Sequence, residues 1–295
     1  MGLVFVPTPL GNLRDVTLRA IDVLQDATLI VAEDSRVARR LLNALGIGTK
    51  DIWTYHEHNA RTSTAAILAR ARAETVAVVT DAGTPGISDP GSALVAAARA
   101  DGVAVEVLPG PAAFVCAAVL SGFDLRRFVF AGFPPRAGGQ RRAAFRAALA
   151  DTTVWYEAPH RIRDSLADLA AVAPDRRVFL VRELSKLHEQ QALGTAAEVA
   201  AAIDEPVRGE IAFVVEGGAD TEPAEAISET DLDAAIDALL AEGITTSAAA
   251  KRLADAGHGE RRHLYSRVSE RRASALPERR ASALPERRGG RAEPG

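Results

Sequence analysis

The sequence has a single cysteine, Cys116, in 295 residues. No disulfide can form within one chain, and a cysteine-based zinc site is excluded. The thiol lies in the apolar run AAFVCAAVL, so a buried, inert side chain and a reducing, cytoplasmic compartment are expected. Lysine is almost as scarce, at three residues against 32 arginines, which reads as genomic codon bias. No stretch approaches the ~18 uninterrupted apolar residues of a membrane span. The start, MGLVFVPTPLGN, lacks the basic segment and long apolar run of a secretory leader. Neither a GxGxxG fingerprint nor a GK[ST] phosphate loop is present, and no cluster has metal-ligand spacing. His56 and His58 in YHEHN sit two apart, and a solvated or hydrogen-bonded pair is the expectation there.

What is present suits a globular chain: 47% hydrophobic and 25% charged residues, with length enough for two domains. The net charge of −4 is unevenly spread. From Arg261 to the end there are ten arginines against four glutamates, a balance of +6, leaving −10 on residues 1–260. An acidic body does not capture nucleic acid over its whole surface, but the basic end supplies a local patch.

Short apolar runs alternate with helical spacing. Runs at 3–7, 28–32, 51–55, 75–80 and 103–108 read as strands, several nearly continuous in apolar residues, as in parallel sheets covered on both faces. A second block follows, with strands at 128–133, 152–157, 177–183 and 209–217 and helices near 139–150, 160–172 and 195–204. The fold class expected is α/β: two α/β domains, 1–120 and 121–218, with a cleft between them. An acidic linker (219–230), a three-helix module of helix-turn-helix type (231–270) and a disordered basic tail (271–295) complete the organisation. The module reads equally as a helical cap or a nucleic-acid reader. The tail holds RRASALPE twice, too little for a solenoid.

Four turns rich in glycine or proline follow strands of the first block: PTPLGN (7–12), AEDSR (32–36), DAGTPGISDPG (81–91) and LPGPAAF (108–114). The carboxyl ends of parallel strands are where open α/β sheets bind ligands, so the four should converge on one rim. Each has a plain structural reading as well. Asp34 or Ser35 suits a helix cap, and Pro111 suits a helix start. The eleven residues from Asp81, with three glycines and two prolines, allow close main-chain approach and are the expected centre of the ligand site.

The motifs PTPLGNLRD, AEDSR, DAGTPGISDPG, LPGPAA, WYEAPHR, RELSKLHE and RGEIAFVVEG, in that order, resemble the ribosomal RNA small subunit methyltransferase I family, of the tetrapyrrole-methylase fold class. The resemblance covers about residues 3–217, and the three helices to about 270 also fit it. It implies a dimeric, cytoplasmic enzyme that holds S-adenosylmethionine between two α/β domains. The implied reaction is methylation of the 2′-oxygen of a cytidine in small-subunit (16S) ribosomal RNA, free or in the assembled subunit. On this reading Pro9, Asp81, Gly83, Thr84, Pro85, Pro109, Gly110, Ala112, Tyr156 and Glu157 contact the cofactor. Asn12, Asp34, Arg36, His160 and Arg161 contact substrate, and no metal takes part. Arg182 and Lys186 would hold RNA phosphate, with Glu183 orienting or deprotonating the hydroxyl. A methylase of the same fold acting on a tetrapyrrole precursor or other small molecule is the alternative. A nucleotide-binding regulator or hydrolase and a non-catalytic RNA-binding protein are readings from other classes.

Overall fold

The computed structural model describes all residues except 57–58, 219–227, 257, 260 and 275–295. His58, most of the linker expected at 219–230 and the basic tail from 275 onward therefore lie outside the described residues.

The first sheet takes its strands from β1 (Gly2–Phe5), β2 (Leu29–Ala32), β3 (Asp51–Thr54), β4 (Thr75–Val79) and β5 (Val105–Val107). They run in the order β3-β2-β4-β1-β5, with every pairing parallel. Between them lie α1 (Leu18–Asp26), α2 (Ser35–Ala44), α3 (Ala60–Ala73) and α4 (Gly91–Ala100). Side chains alternate across a strand, so Leu3 and Phe5 meet Ile67 and Leu94 of α3 and α4 on one face. Val4 and Val6 meet Leu24 and Leu42 of α1 and α2 on the other. Burial on both faces is why these strands read as unbroken apolar runs.

Helix α5 (Ala113–Ser121) leads to a second sheet built from β6 (Phe128–Gly132), β7 (Thr152–Glu157), β8 (Arg177–Arg182), β9 (Gln190–Thr195) and β10 (Ile211–Val215). Its order is β6-β7-β10-β8-β9, and only the β6–β7 pairing is parallel. Helices α6 (Gly138–Ala148), α7 (Ile162–Val172) and α8 (Ala196–Ala202) cover one face around Phe145, Leu166 and Phe213. Helix α5, on the amino-terminal side of the boundary expected at 120, packs through Ala117 and Ala118 on the opposite face of this second sheet. Strand β9 was not foreseen, because QQALGT offers one β-branched residue and pairs only along the sheet edge. Both sheets belong to one compact unit.

The helices α9 (Glu229–Ala241), α10 (Thr246–Asp255) and α11 (Arg261–Ser274) form a compact unit of their own. Its small core centres on Ile236, Ala249, Leu264 and Val268, and the Thr245 side chain caps α10. No described helix is long and apolar enough to cross a membrane.

Candidate active site

Because β1, β2, β4 and β5 are parallel, the loops after them all leave the first sheet at one edge. There they brace one another. Thr8 and Gly83 exchange two main-chain hydrogen bonds of 2.9 and 3.0 Å, and Thr84 Oγ1 donates to the Pro111 carbonyl at 2.8 Å. Within DAGTPGISDPG the Asp89 carboxylate accepts from the Gly86 and Gly91 amides at 2.8 and 2.7 Å. Gly83 takes φ +83°, a left-handed conformation that a larger residue adopts only with strain. The loop is therefore a braced wall, and its glycines and prolines serve that shape.

A cavity of about 350 Å³ opens between this wall and the second sheet. Leu10, Gly83, Thr84, Ile87 and Ala112 line one side. Phe133, Tyr156, Leu184 and the segment Gly209–Ala212 line the other. A mostly apolar cavity of this size with a few placed polar groups suits a small organic ligand. The Tyr156 hydroxyl accepts a hydrogen bond from the Phe114 amide at 3.0 Å, while Phe130 and Phe133 meet its ring edge-on.

Strand alternation divides the residues expected at this wall. Tyr156 faces the cavity side. The neighbouring Glu157 borders the cavity, but its carboxylate is fully buried and turned towards α7. It accepts from Ser165 Oγ at 2.5 Å and pairs with Arg161 at 3.2 Å. Arg161 also donates to the Pro134 carbonyl at 2.6 Å, in the loop that carries Phe133. Their charged side-chain atoms pair with each other and brace the turn before α7, while Glu157 still borders the cavity. Arg182 follows the same alternation. Val181 lines the cavity, and the next residue points to the other face, where the Arg182 guanidinium meets the Asp204 carbonyl at 3.4 Å.

Glu183 and Lys186 do come together, with a partner that the sequence reading did not single out. Lys186 Nζ lies 2.7 Å from Glu183 Oε1 and 2.9 Å from Glu210 Oε2. The Glu210 amide donates to the same Glu183 oxygen at 3.1 Å. Gly209 makes this approach feasible, for a Cβ there would sit 2.2 Å from Glu183 Oε1. Burial pushes the Glu183 carboxyl up, but the Lys186 and Glu210 hydrogen bonds outweigh it and hold the group below its ordinary range. Burial likewise pulls Lys186 down, and its two carboxylate bonds raise it overall. The result is an ammonium pinned between two carboxylates, of which Glu210 borders the cavity. Its signal was the Gly-Glu pair opening RGEIAFVVEG, quoted as a motif without a residue being taken from it.

The other expected contacts lie around this centre. Asp34 caps α2, accepting from the Arg36 amide at 2.7 Å, and its carboxylate pairs with the Arg36 guanidinium, so each neutralises the other. Asn12 caps the short turn Leu13–Asp15. Pro85 borders a small crevice with Glu33 and Asp89 behind the wall. Gly110 lies against Pro7, and Pro9, Pro109 and the exposed His160 do not line the cavity. Asp81 accepts from the Asp34 amide at 3.2 Å. Burial pushes its carboxyl above the ordinary 3.8, reinforced by the charges of Glu33, Asp34 and Glu210. Asp81 does not itself line the cavity but adjoins Ala82, which does, and the Arg36 cation lies near it as well. Cys116 is half-buried, and burial pushes its thiol up, so it stays protonated.

The chain is 38% identical over 272 residues to the ribosomal RNA small subunit methyltransferase I of Streptococcus pyogenes serotype M1, covering 91% of this chain and 94% of that one. It belongs to the ribosomal RNA small subunit methyltransferase I family. The same-named protein of Synechocystis sp. is 40% identical over 271 residues, 90% of this chain and 96% of its own. The family model for tetrapyrrole (corrin/porphyrin) methylases matches residues 2–200, bearing out the fold class. Among solved structures, diphthine synthase superposes with a TM-score of 0.58 at 16% identity, covering 72% of this chain and 89% of that one. That likeness extends to the fold alone.

Proposed function

We propose that this protein is an S-adenosylmethionine-dependent methyltransferase acting on the 2′-oxygen of a cytidine in small-subunit ribosomal RNA. The carrying observation is the cavity: apolar walls, with a lysine held between two carboxylates at its edge. The relatives named for small-subunit ribosomal RNA methylation support the substrate class. The residues fit the cofactor. An adenosyl group matches the apolar lining, and a sulfonium matches the Glu210 carboxylate at its edge.

When bound, S-adenosylmethionine supplies a methyl group on a sulfonium, ready for in-line attack by an oxygen. The chain's own residues position and polarise. Tyr156 and the Thr84 loop fix the cavity walls. Lys186, kept charged, steadies the negative charge that grows on the hydroxyl oxygen. Glu210 is the carboxylate at the cavity edge and is assigned the proton. Glu183, with one oxygen already accepting two hydrogen bonds, acts through Lys186 as a positioning residue.

The deciding experiment is transfer of labelled methyl groups to small ribosomal subunits from cells lacking the enzyme, followed by mapping of the modified nucleotide. Label at a cytidine 2′-oxygen is the expected result. Label in a small molecule, with none in RNA, would establish the alternative.

Asp81, next to the cavity-lining Ala82, gives a pH test. The Asp81 carboxyl titrates above its ordinary value, so acidification removes its charge earlier than usual and weakens attraction for a sulfonium. The rise in Tm produced by S-adenosylmethionine is expected to shrink as pH falls through that raised range, and Asp81→Asn is expected to flatten the dependence. A wild-type profile as flat as the variant's would count against that attraction.

The assembly proposed is a homodimer, working in the cytoplasm. Support comes from α5, which exposes Val115, Val119 and Leu120, and from the exposed Phe128 of the edge strand β6, which shares a strand face with Phe130, stacked on Phe114 of α5. Val119, 66% exposed, is the test position. Val119→Asp is expected to shift the mass in sedimentation from dimer to monomer. An unchanged dimer would move the interface elsewhere.

A further inference from the structure

The three-helix unit is close to neutral, but its charges are sorted. Helix α9 and the Glu242 that ends it carry Glu229, Asp231, Asp233, Asp237 and Glu242, with no cation. Helices α10 and α11 carry seven cations against two carboxylates. Part of this imbalance is consumed internally. Arg267 Nε lies 2.8 Å from Asp233 and Arg271 pairs with Asp237, which locks α11 onto α9, while Arg252 reaches Glu242 at 3.6 Å. Lys251, Arg261, Arg262 and Arg272 have no carboxylate partner among the described residues, and all four are exposed.

Helical geometry gathers these unmatched cations. On α11, Arg261, Arg272, Tyr265 and Arg262 fall within about 100° of arc, which begins beside the buried Val268 and runs away from Leu264 and from the arginines facing α9. Arg261 donates to Ser247 Oγ at 3.4 Å and Arg272 to Thr246 Oγ1 at 3.3 Å, which sets both guanidinium groups beside α10, and Lys251 stands one turn along that helix. Tyr265 is 50% exposed in the middle of the stripe. An exposed aromatic flanked by unpaired arginines serves little purpose in packing. It is the combination that binds nucleic acid, with cations on phosphates and a ring for a base to stack on.

We propose that this α10–α11 face is an RNA-docking surface, in which Arg261, Arg262, Arg272 and Lys251 hold phosphates and Tyr265 stacks on an unpaired base. The proposal rests on the reading of RNA as substrate and adds where the chain captures it. Charge explains the need. Residues 1–218 carry 23 cations against 25 carboxylates, a net −2, so the α/β part offers a polyanion no excess of positive charge.

The test measures binding of in vitro transcribed small-subunit ribosomal RNA to the full chain across a salt series. The Arg261→Gln, Arg262→Gln, Arg272→Gln triple variant is expected to bind about 10- to 100-fold more weakly near 0.1 M salt. Its log–log salt slope should fall by about 2, as for three lost phosphate contacts. Tyr265→Ala is expected to weaken binding by about tenfold with the slope unchanged, and Tyr265→Phe to restore it. Removing the exposed Arg99 and Arg146 from the α/β part (Arg99→Gln, Arg146→Gln) controls for net charge. Unchanged helical content by circular dichroism checks that the three-helix unit of the triple variant is folded. The surface is disproved if the triple variant binds with wild-type affinity and slope, or loses no more than the control pair. Wild-type chain that binds no RNA would overturn both this surface and the proposed function. RNA binding without methyl transfer to any RNA would sink the function and leave the surface standing.

Discussion

Lys186→Met is expected to lower methyl transfer by about two to three orders of magnitude while leaving the S-adenosylmethionine-induced Tm rise and RNA binding in place. The magnitude is that of removing one preorganised group aimed at charge that develops in a transition state. The geometry explains why the loss should fall on turnover. Lys186 Nζ is held 2.7 and 2.9 Å from two carboxylates at the cavity edge, so its position is set before any substrate arrives. Methionine keeps the length of the stem but leaves Glu183 and Glu210 facing each other without a cation. Lys186→Arg should recover part of the rate, since charge is retained and only its shape changes. A stability signature accompanies the kinetic one. The Glu183 carboxyl, lowered when folded, contributes stability that is present above its ordinary 4.5 and lost as pH falls through the folded value. In Lys186→Met that contribution shrinks, so the acid limb of the melting profile should flatten. Full turnover in Lys186→Met would remove the residue from the chemistry.

The second large effect is on stability. Arg161→Met strands the Glu157 carboxylate, which has no solvent exposure and keeps only Ser165 Oγ and the Ala158 amide as partners. Breaking a buried pair from one side costs about 3–5 kcal/mol. In a unit of this size that is a fall in Tm of roughly 6–20 °C, at about 2–4 °C per kcal/mol. Adding Glu157→Gln should restore a good part of it, because the uncompensated charge is then gone. Calorimetry on the single and double variants measures both. A loss of the 2.6 Å bond to the Pro134 carbonyl should also loosen Phe133 and weaken cofactor binding beyond what global stability predicts. If Arg161→Met melts with the wild type, the buried pair is not holding this part of the fold.

How much of this was legible beforehand differs by element. Nine strands could be read from apolar runs, because sheets covered on both faces leave a dense hydrophobic signature in the chain. The edge strand β9 could not, since none of its residues is fully buried and its pairing comes from β8. The rim was legible too: Gly83, Thr84 and Ala112 line the cavity, as does Tyr156 opposite. Leu10, Ile87 and Phe133 were not singled out, because an apolar residue in a loop carries no local sign of whether it faces a cavity or a core.

The sequence by itself determined the family, the alternation of strands and helices, and the loops that brace one wall. Those are properties of residue type and order along the chain. Only the tertiary structure decided which way each side chain points and whom it meets. It turned the Glu157 carboxylate towards α7 and placed Arg182 off the cavity face, because neighbours on a strand face opposite sides of its sheet. It also brought Glu210 from a different strand to the lysine, across a gap that Gly209 alone leaves open.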